Sequence, residues 1–152
     1  MVGDEVLARR ENLSNIDSLS AAIMELLPAR NCITRQNSQK KLCPIAANID
    51  YLVIVIAHLP EPVEDLIASY IIAAENYGIT PLLVLNKVDL LEQDIQRDHF
   101  SLGLLKVYDK LKYRTIRTSA KNHSVGNLEQ TIRGKTSVLV GQSGVGKSSI
   151  LN

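Results

Sequence analysis

Tryptophan is absent from the 152 residues, phenylalanine occurs once, and aromatic residues make up only 4% of the chain. Any core must therefore be built from aliphatic side chains. A dominant charge is missing too: 17 Lys and Arg stand against 16 Asp and Glu. That balance excludes a global electrostatic case for nucleic acid or membrane binding, so any such case has to be local. Cysteine is scarce. Cys32 and Cys43 lack Cys-x-x-Cys spacing and have no histidine close by, while His58, His99 and His123 are scattered. They read as small thiol side chains of a reducing cytosol rather than as a disulfide or a metal pair. No apolar run approaches the roughly 18 residues of a membrane span. The stretch "MVGDEVLARR" carries charges where a signal peptide needs an apolar core. The expectation is a cytoplasmic protein without a membrane partner.

What is present is ordinary for a folded protein. The chain is 45% hydrophobic and 22% charged, which excludes long disorder as the main state. Its length suits one domain, or one small domain plus part of a second. From Pro44 onward, short apolar runs alternate with longer amphipathic segments, the pattern of a layered α/β domain. "YLVIVIA" (Tyr51 to Ala57) is apolar at successive positions, as a central parallel strand covered on both faces should be. Pro81 to Asn86, Tyr113 to Ser119 and Thr136 to Gly141 are further strand candidates, of which Tyr113 to Ser119 is polar enough for an edge.

Helices are expected between these strands. The first has Pro62 in its first turn, Glu64 and Asp65 near its positive end, and Gly78 as a stop. Val63, Leu66, Ile67, Tyr70, Ala74 and Tyr77 would form its buried stripe. A second helix is expected over 94–112, interrupted at Gly103, and a third from Asn127 to Arg133, ending at Gly134. Residues 1–43 differ. "DEVLAR" and "CITR" are brief strand candidates, "SLSAAIMELL" is ambiguous between helix and strand, and "RQNSQKK" is a polar loop. The stretch is short for an independent core and reads as a piece of a small β domain.

Three short motifs carry chemistry. "GQSGVGKS" fits G-x-x-x-x-G-K-[ST] behind a β-branched run and ahead of a helix start. Gly141, Gly144 and Gly146 let the backbone turn tightly, so that successive N–H groups converge on phosphate oxygens. Lys147 would place its ammonium on the terminal phosphates, and the Ser148 hydroxyl would hold magnesium. The bland alternative is a Gly/Ser-rich turn capping a helix. "NKVD" follows a strand end. The Asp89 carboxylate can accept hydrogen bonds from guanine N1–H and its 2-amino group, a donor pair that adenine lacks. The Lys87 stem can lie along the base plane, and Asn86 can tie this loop to the phosphate loop. The alternative is a polar turn. "TSAK" ends the next strand, where small residues let the Ala120 N–H reach guanine O6, although such turns are common. Three motifs at three strand ends of one sheet make coincidence a poor account.

These elements resemble those of the Ras-like GTPase superfamily, with the order reversed: there the phosphate loop comes first and the guanine-reading motifs last. Reordering is tolerated where original termini lie close, and "GNLEQTIRGKT" would join the last helix to the first strand. The chain is thus identified as a circularly permuted GTPase. Within that group "AANIDYLVIV", "LLVLNKVDLL" and "GQSGVGKSSILN" resemble the RsgA/YjeQ family of GTPases dependent on the small ribosomal subunit. "VGDEV" and "LLPARNCITR" resemble the end of that family's OB-fold, although "ENLSNIDSLSAA" has no evident counterpart in it.

The fold class implied is α/β. A remnant of an OB-fold β-barrel at 1–43 precedes an incomplete, circularly permuted P-loop GTPase domain at 44–152, with a parallel sheet and flanking helices. The resemblance implies GTP hydrolysis to GDP and phosphate on the subunit, and a role in its late maturation. Asn86, Lys87 and Asp89 carry over as guanine readers, and Ser119 and Ala120 as base-loop residues. Gly144, Val145, Gly146, Lys147, Ser148 and Ser149 carry over as phosphate and magnesium contacts. GTP or GDP and Mg2+ are the cofactors expected. The family's zinc domain, its switch segment and its Asp-x-x-Gly motif have no counterpart in these residues, so hydrolysis by this chain alone is expected to be incomplete. Two locally basic stretches, Arg30, Arg35, Lys40 and Lys41, and Lys106, Lys110, Lys112, Arg114, Arg117 and Lys121, are either solvated faces or rRNA contacts. The resemblance favours rRNA and a monomer. Two rival readings are a P-loop ATPase or kinase, in which "NKVD" is only a turn, and a noncatalytic RNA-binding module with a vestigial P-loop.

Overall fold

The structure is a computed structural model that describes residues 1–11, 20–91 and 99–152. It divides into two compact units, Met1–Ile49 and Asp50–Asn152. In the first, β1 (Val6–Glu11) pairs antiparallel with β2 (Ser20–Leu26), and β3 (Cys32–Gln36) pairs antiparallel with β4 (Leu42–Ala47). The ambiguous "SLSAAIMELL" run is therefore a strand where it is described. Its apolar residues suit either period, and the ladder to β1, with Val6 opposite Leu26 and Arg9 opposite Ala22, decides the matter.

The polar loop after β3 is the connection of a hairpin. The Asn37 side-chain oxygen accepts from the N–H groups of Gln39 and Lys41, both at 2.9 Å, an Asx-type turn that lets Lys40 take φ +59. Strand β4 extends beyond Pro44, the point at which the α/β pattern was expected to begin. Pro44 sits opposite Thr34, next to a shift of register, where its missing N–H costs the ladder little. This unit leaves Leu7, Ile23, Met24 and Leu26 exposed and is tied together by side-chain amides. Asn48 accepts from the Arg30 N–H at 2.8 Å and donates to the Gly3 carbonyl at 2.9 Å.

The second unit holds a sheet of four parallel strands. β5 (Tyr51–Ala57) and β6 (Thr80–Asn86) are central, β7 (Arg114–Arg117) lies outside β6, and β8 (Ser137–Val140) lies outside β5. Leu52–Ala57 and Leu82–Asn86 are buried throughout, as expected of runs covered on both faces. β7 occupies the edge that its polarity suggested.

Helix α1 (Glu64–Asn76) begins two residues after Pro62, which stands outside it, and its stop at Gly78 has φ +64. The buried stripe is Ile67, Ile71 and Ala74; Val63 and Tyr77 are exposed. The stripe is shorter than expected because Val63 and Tyr77 cap the helix at its two ends, outside its regular turns, while Ile71, four residues after Ile67, completes the face; Leu66 and Tyr70 are half-buried. Helix α2 (Phe100–Lys110) runs through Gly103 without a break. Gly103 lacks a Cβ but keeps its N–H, and Leu104 and Leu105 anchor the turn that follows. The earlier part of the helix expected over 94–112 falls largely outside the described residues, as does most of "ENLSNIDSLSAA". No helix among the described residues is long and apolar enough to cross a membrane.

Helix α3 (Gly126–Ile132) ends before Gly134, at φ +68, and the chain then enters β8. The entry is clamped to β5: the Thr136 N–H donates to the Asp50 carboxylate at 3.0 Å, and the Thr136 carbonyl accepts from the Asp50 N–H at 2.8 Å. Leu128 is the fully buried residue of α3, set in a cluster with Val53, Val55, Leu82, Val84 and Ile116. Leu128→Ala is expected to destabilise the domain by about 2–5 kcal/mol, since it would leave a cavity in that cluster. Urea unfolding followed by circular dichroism measures the change. Helix α4 (Lys147–Leu151) follows a glycine-rich loop after β8.

Candidate functional site

Four parallel strands place their C-terminal ends on one side of the sheet, and the segments that leave them must meet there. The loops after β6, β7 and β8 are the three motif segments. A recess of about 350 Å3 opens between them. Asn86, Lys87, Asp89 and Leu90 line it from the first loop, Ala120 and Lys121 from the second, and Gly146 and Ser149 from the third.

Asn86 sits at the centre, with 1% of its surface exposed. Its Nδ2 donates to the Val145 carbonyl at 3.0 Å, and its Oδ1 accepts from the Thr118 hydroxyl at 3.2 Å and from the Ala120 N–H at 3.1 Å. One buried amide thus joins all three loops, as the tie expected from Asn86 to the glycine-rich loop requires. Satisfied on both ends, it is costly to disturb. Here the Ala120 N–H is directed at Asn86, and Thr118 is wholly buried. A second bridge comes from Ser119, whose hydroxyl donates to Asp89 Oδ1 at 2.5 Å and accepts from the Asn122 N–H at 3.3 Å. It fixes one carboxylate oxygen and leaves the rest of the group, which is half-buried, on the recess.

Lys87 has φ +61, and its ammonium donates to the Gly144 carbonyl at 2.6 Å and the Leu59 carbonyl at 3.0 Å. Across a trans peptide the C=O and the following N–H point in opposite directions. Lys87 holds the Gly144 carbonyl and Asn86 holds the Val145 carbonyl, so the N–H groups of Val145 and Gly146 are turned away from the "NKVD" loop. Lys147 donates to the carbonyls of Gly141 at 2.9 Å and Gln142 at 2.7 Å, which folds the loop around its ammonium. Val145 is buried in the core and anchors the loop from below, while Ser148 is exposed at the start of α4.

Two glycines of this loop are sterically required. A Cβ on Gly146 would collide with Asn86 Nδ2, and one on Gly141 with the Val55 carbonyl. At Gly144 the nearest atom to such a Cβ is Pro60 Cδ at 3.7 Å, an ordinary contact. The loop is therefore held in a fixed shape by its neighbours, although Ser143 and Gly144 are exposed. Among the described residues no group of three or more His, Cys, Asp and Glu side chains gathers as a metal would need.

The sequence matches the RsgA GTPase family over residues 26–152. The chain belongs to the RsgA GTPase family. Among its relatives is the small ribosomal subunit biogenesis GTPase RsgA of Ectopseudomonas mendocina (strain ymp), 42% identical over 100% of this chain and 43% of that protein. RsgA 1 of Vibrio parahaemolyticus (serotype O3:K6, strain RIMD 2210633) is 41% identical over 99% of this chain and 42% of its own length. The chain thus spans about 43% of the curated relatives it matches. Two crystal structures share the fold. YjeQ from Thermotoga maritima superposes with a TM-score of 0.75 at 28% identity, over 99% of this chain and 49% of that one. YloQ, described as a circularly permuted GTPase, gives 0.76 at 29%, over 99% and 48%. The RsgA fold accounts for the motif order: β8 and its glycine-rich loop come last in sequence yet lie beside β5, the strand that opens the unit.

Three contributors escaped the sequence reading. Leu90 and Lys121 line the recess, although Lys121 stood inside "TSAK" and was counted only among basic residues. The Leu59 carbonyl was not foreseen, because a main-chain acceptor has no residue type to reveal it.

Proposed function

We propose that the 50–152 unit binds a guanine nucleotide with magnesium, and that the RsgA protein to which this chain corresponds hydrolyses GTP to GDP and phosphate on the small ribosomal subunit during its late maturation. The observation that carries this reading is the Asn86 amide, which locks the base-side loops and the cradle into one site. The cradle suits phosphates: its carbonyls are held by Lys87, Lys147 and Asn86, its N–H groups at Val145 and Gly146 are directed the other way, and Lys147 adds a positive charge. Ser148 and Ser149, at the start of α4, are read as the magnesium and phosphate contacts. On the base side, Asp89 presents an acceptor edge supported by Ser119, with Lys87, Lys121 and Leu90 as walls. Magnesium, when bound, supplies charge neutralisation between the terminal phosphates.

The 1–49 unit, with its two antiparallel hairpins, is read as the remnant of an OB-fold. Its basic loop, with Lys40 and Lys41, and the Arg114 to Lys121 face of the GTPase unit are candidate rRNA contacts. The protein is read as a cytoplasmic monomer. Titration with fluorescently labelled GTP, GDP and ATP tests the nucleotide reading. Binding of GTP and GDP at least ~100-fold tighter than ATP is expected, because a carboxylate left unpaired by adenine is costly. Equal affinity for ATP would overturn it and favour a P-loop ATPase.

A further inference from the structure

Lys87 does more than line the base side of the recess. Its ammonium joins two loops that leave different strands, through the Gly144 carbonyl after β8 and the Leu59 carbonyl after β5. Pro60 continues the second of these contacts, since a Cβ on Gly144 would lie 3.7 Å from Pro60 Cδ. The segment His58–Pro62 therefore runs alongside the cradle. Its middle, residues 59–61, is otherwise loosely held. Leu59 is 58% exposed, Glu61 is exposed, and no other hydrogen bond engages Leu59, Pro60 or Glu61 among the described residues. On its far side the segment borders a recess of about 210 Å3, where the His58 ring packs edge-on against His99 at 4.6 Å and Pro62 is buried, so its two ends are packed and its middle is not. The charge-assisted hydrogen bond from Lys87 to the Leu59 carbonyl is what fastens that middle.

We propose that the 59–61 stretch is a positioning element coupled to the glycine-rich loop through the Lys87 ammonium, so that ordering of one loop orders the other. The proposal rests on the nucleotide reading above. Its thermodynamic content is reciprocal: a phosphate ligand that settles Gly144 also settles Leu59, and freedom at Leu59 weakens phosphate binding.

Backbone 15N order parameters on the whole 152-residue chain test this. Lys87→Met keeps an apolar stem and removes the ammonium. Without ligand, the variant is expected to show order parameters lower by about 0.1–0.2 both at His58, Leu59 and Glu61 and at Gly144 to Gly146. A drop at the glycine-rich loop alone would overturn the coupling. With magnesium pyrophosphate, which has no base, wild type is expected to gain order at both segments, Lys87→Met at the glycine-rich loop only, and Lys87→Arg, which keeps donors, at both again. A gain at 58–61 that persists in Lys87→Met would also overturn it. If pyrophosphate orders neither segment of the wild type, the phosphate reading fails, while the ligand-free comparison still judges the coupling. Leu59→Gly provides a second route that spares the core, because the Leu59 side chain is exposed. It is expected to weaken pyrophosphate affinity by about threefold to fivefold through added backbone freedom, and unchanged affinity would count against the proposal.

Discussion

Asp89→Asn is expected to turn a guanine site into a xanthine site. The carboxylate offers two acceptors to guanine's N1–H and 2-amino donors, whereas an amide offers one acceptor and one donor. The donor then opposes the 2-amino group, and about 3 kcal/mol of charge-assisted bonding is lost, roughly 100-fold in affinity. Xanthine carries a carbonyl at that position and accepts the new N–H. Ser119 sets the outcome, since its hydroxyl donates to Asp89 Oδ1 at 2.5 Å. It will hold the amide oxygen on its own side and leave Nδ2 facing the base. Titration with labelled GDP and XDP should show GDP binding about 100-fold weaker and the order of preference reversed. Equal weakening of both nucleotides would mean that Asp89 only supports the loop.

Gly146→Ala is expected to separate the two halves of the site. At φ +94 an alanine is strained by about 1–2 kcal/mol, and its Cβ would collide with Asn86 Nδ2. Relief requires the amide to withdraw from the Val145 carbonyl, which leaves a buried acceptor unpaired at a further cost of about 1–3 kcal/mol. The combined loss predicts GDP binding weaker by about 100-fold in a chain that still folds, since the core around Val53, Leu82 and Leu128 is untouched. Gly144→Ala is the informative partner. It shares a positive φ, +81, but its Cβ would make only an ordinary contact with Pro60, so its effect should be several-fold smaller. Calorimetric titration with GDP, paired with urea unfolding of both variants, distinguishes a damaged site from a damaged fold. Similar losses in the two variants would refute the role given to Asn86.

The motifs were legible in the sequence because each is local. A glycine-rich turn, a lysine and a hydroxyl at set offsets lie within one stretch of backbone, and "NKVD" states its chemistry in four consecutive side chains. The central strands were equally plain, since Leu52–Ala57 and Leu82–Leu85 are apolar at every position. Faces and partners were harder. The buried stripe of α1 passes through Ile71 and leaves Val63 and Tyr77 outside, because the helix begins only at Glu64 and its burial depends on how it meets the sheet. β2 became a strand through its ladder with β1, a long-range pairing that its own composition could not express.

The sequence by itself determined the three loop motifs, the parallel α/β order and the permuted arrangement, all of which are written in contiguous residues and their spacing. Only the tertiary structure decided how the loops depend on one another. Asn86 binds three of them at once, Ser119 steadies Asp89, and Lys87 fastens the carbonyls of Gly144 and Leu59. Most of the groups held this way are main-chain atoms, present at every residue alike, so only folding selects which of them meet.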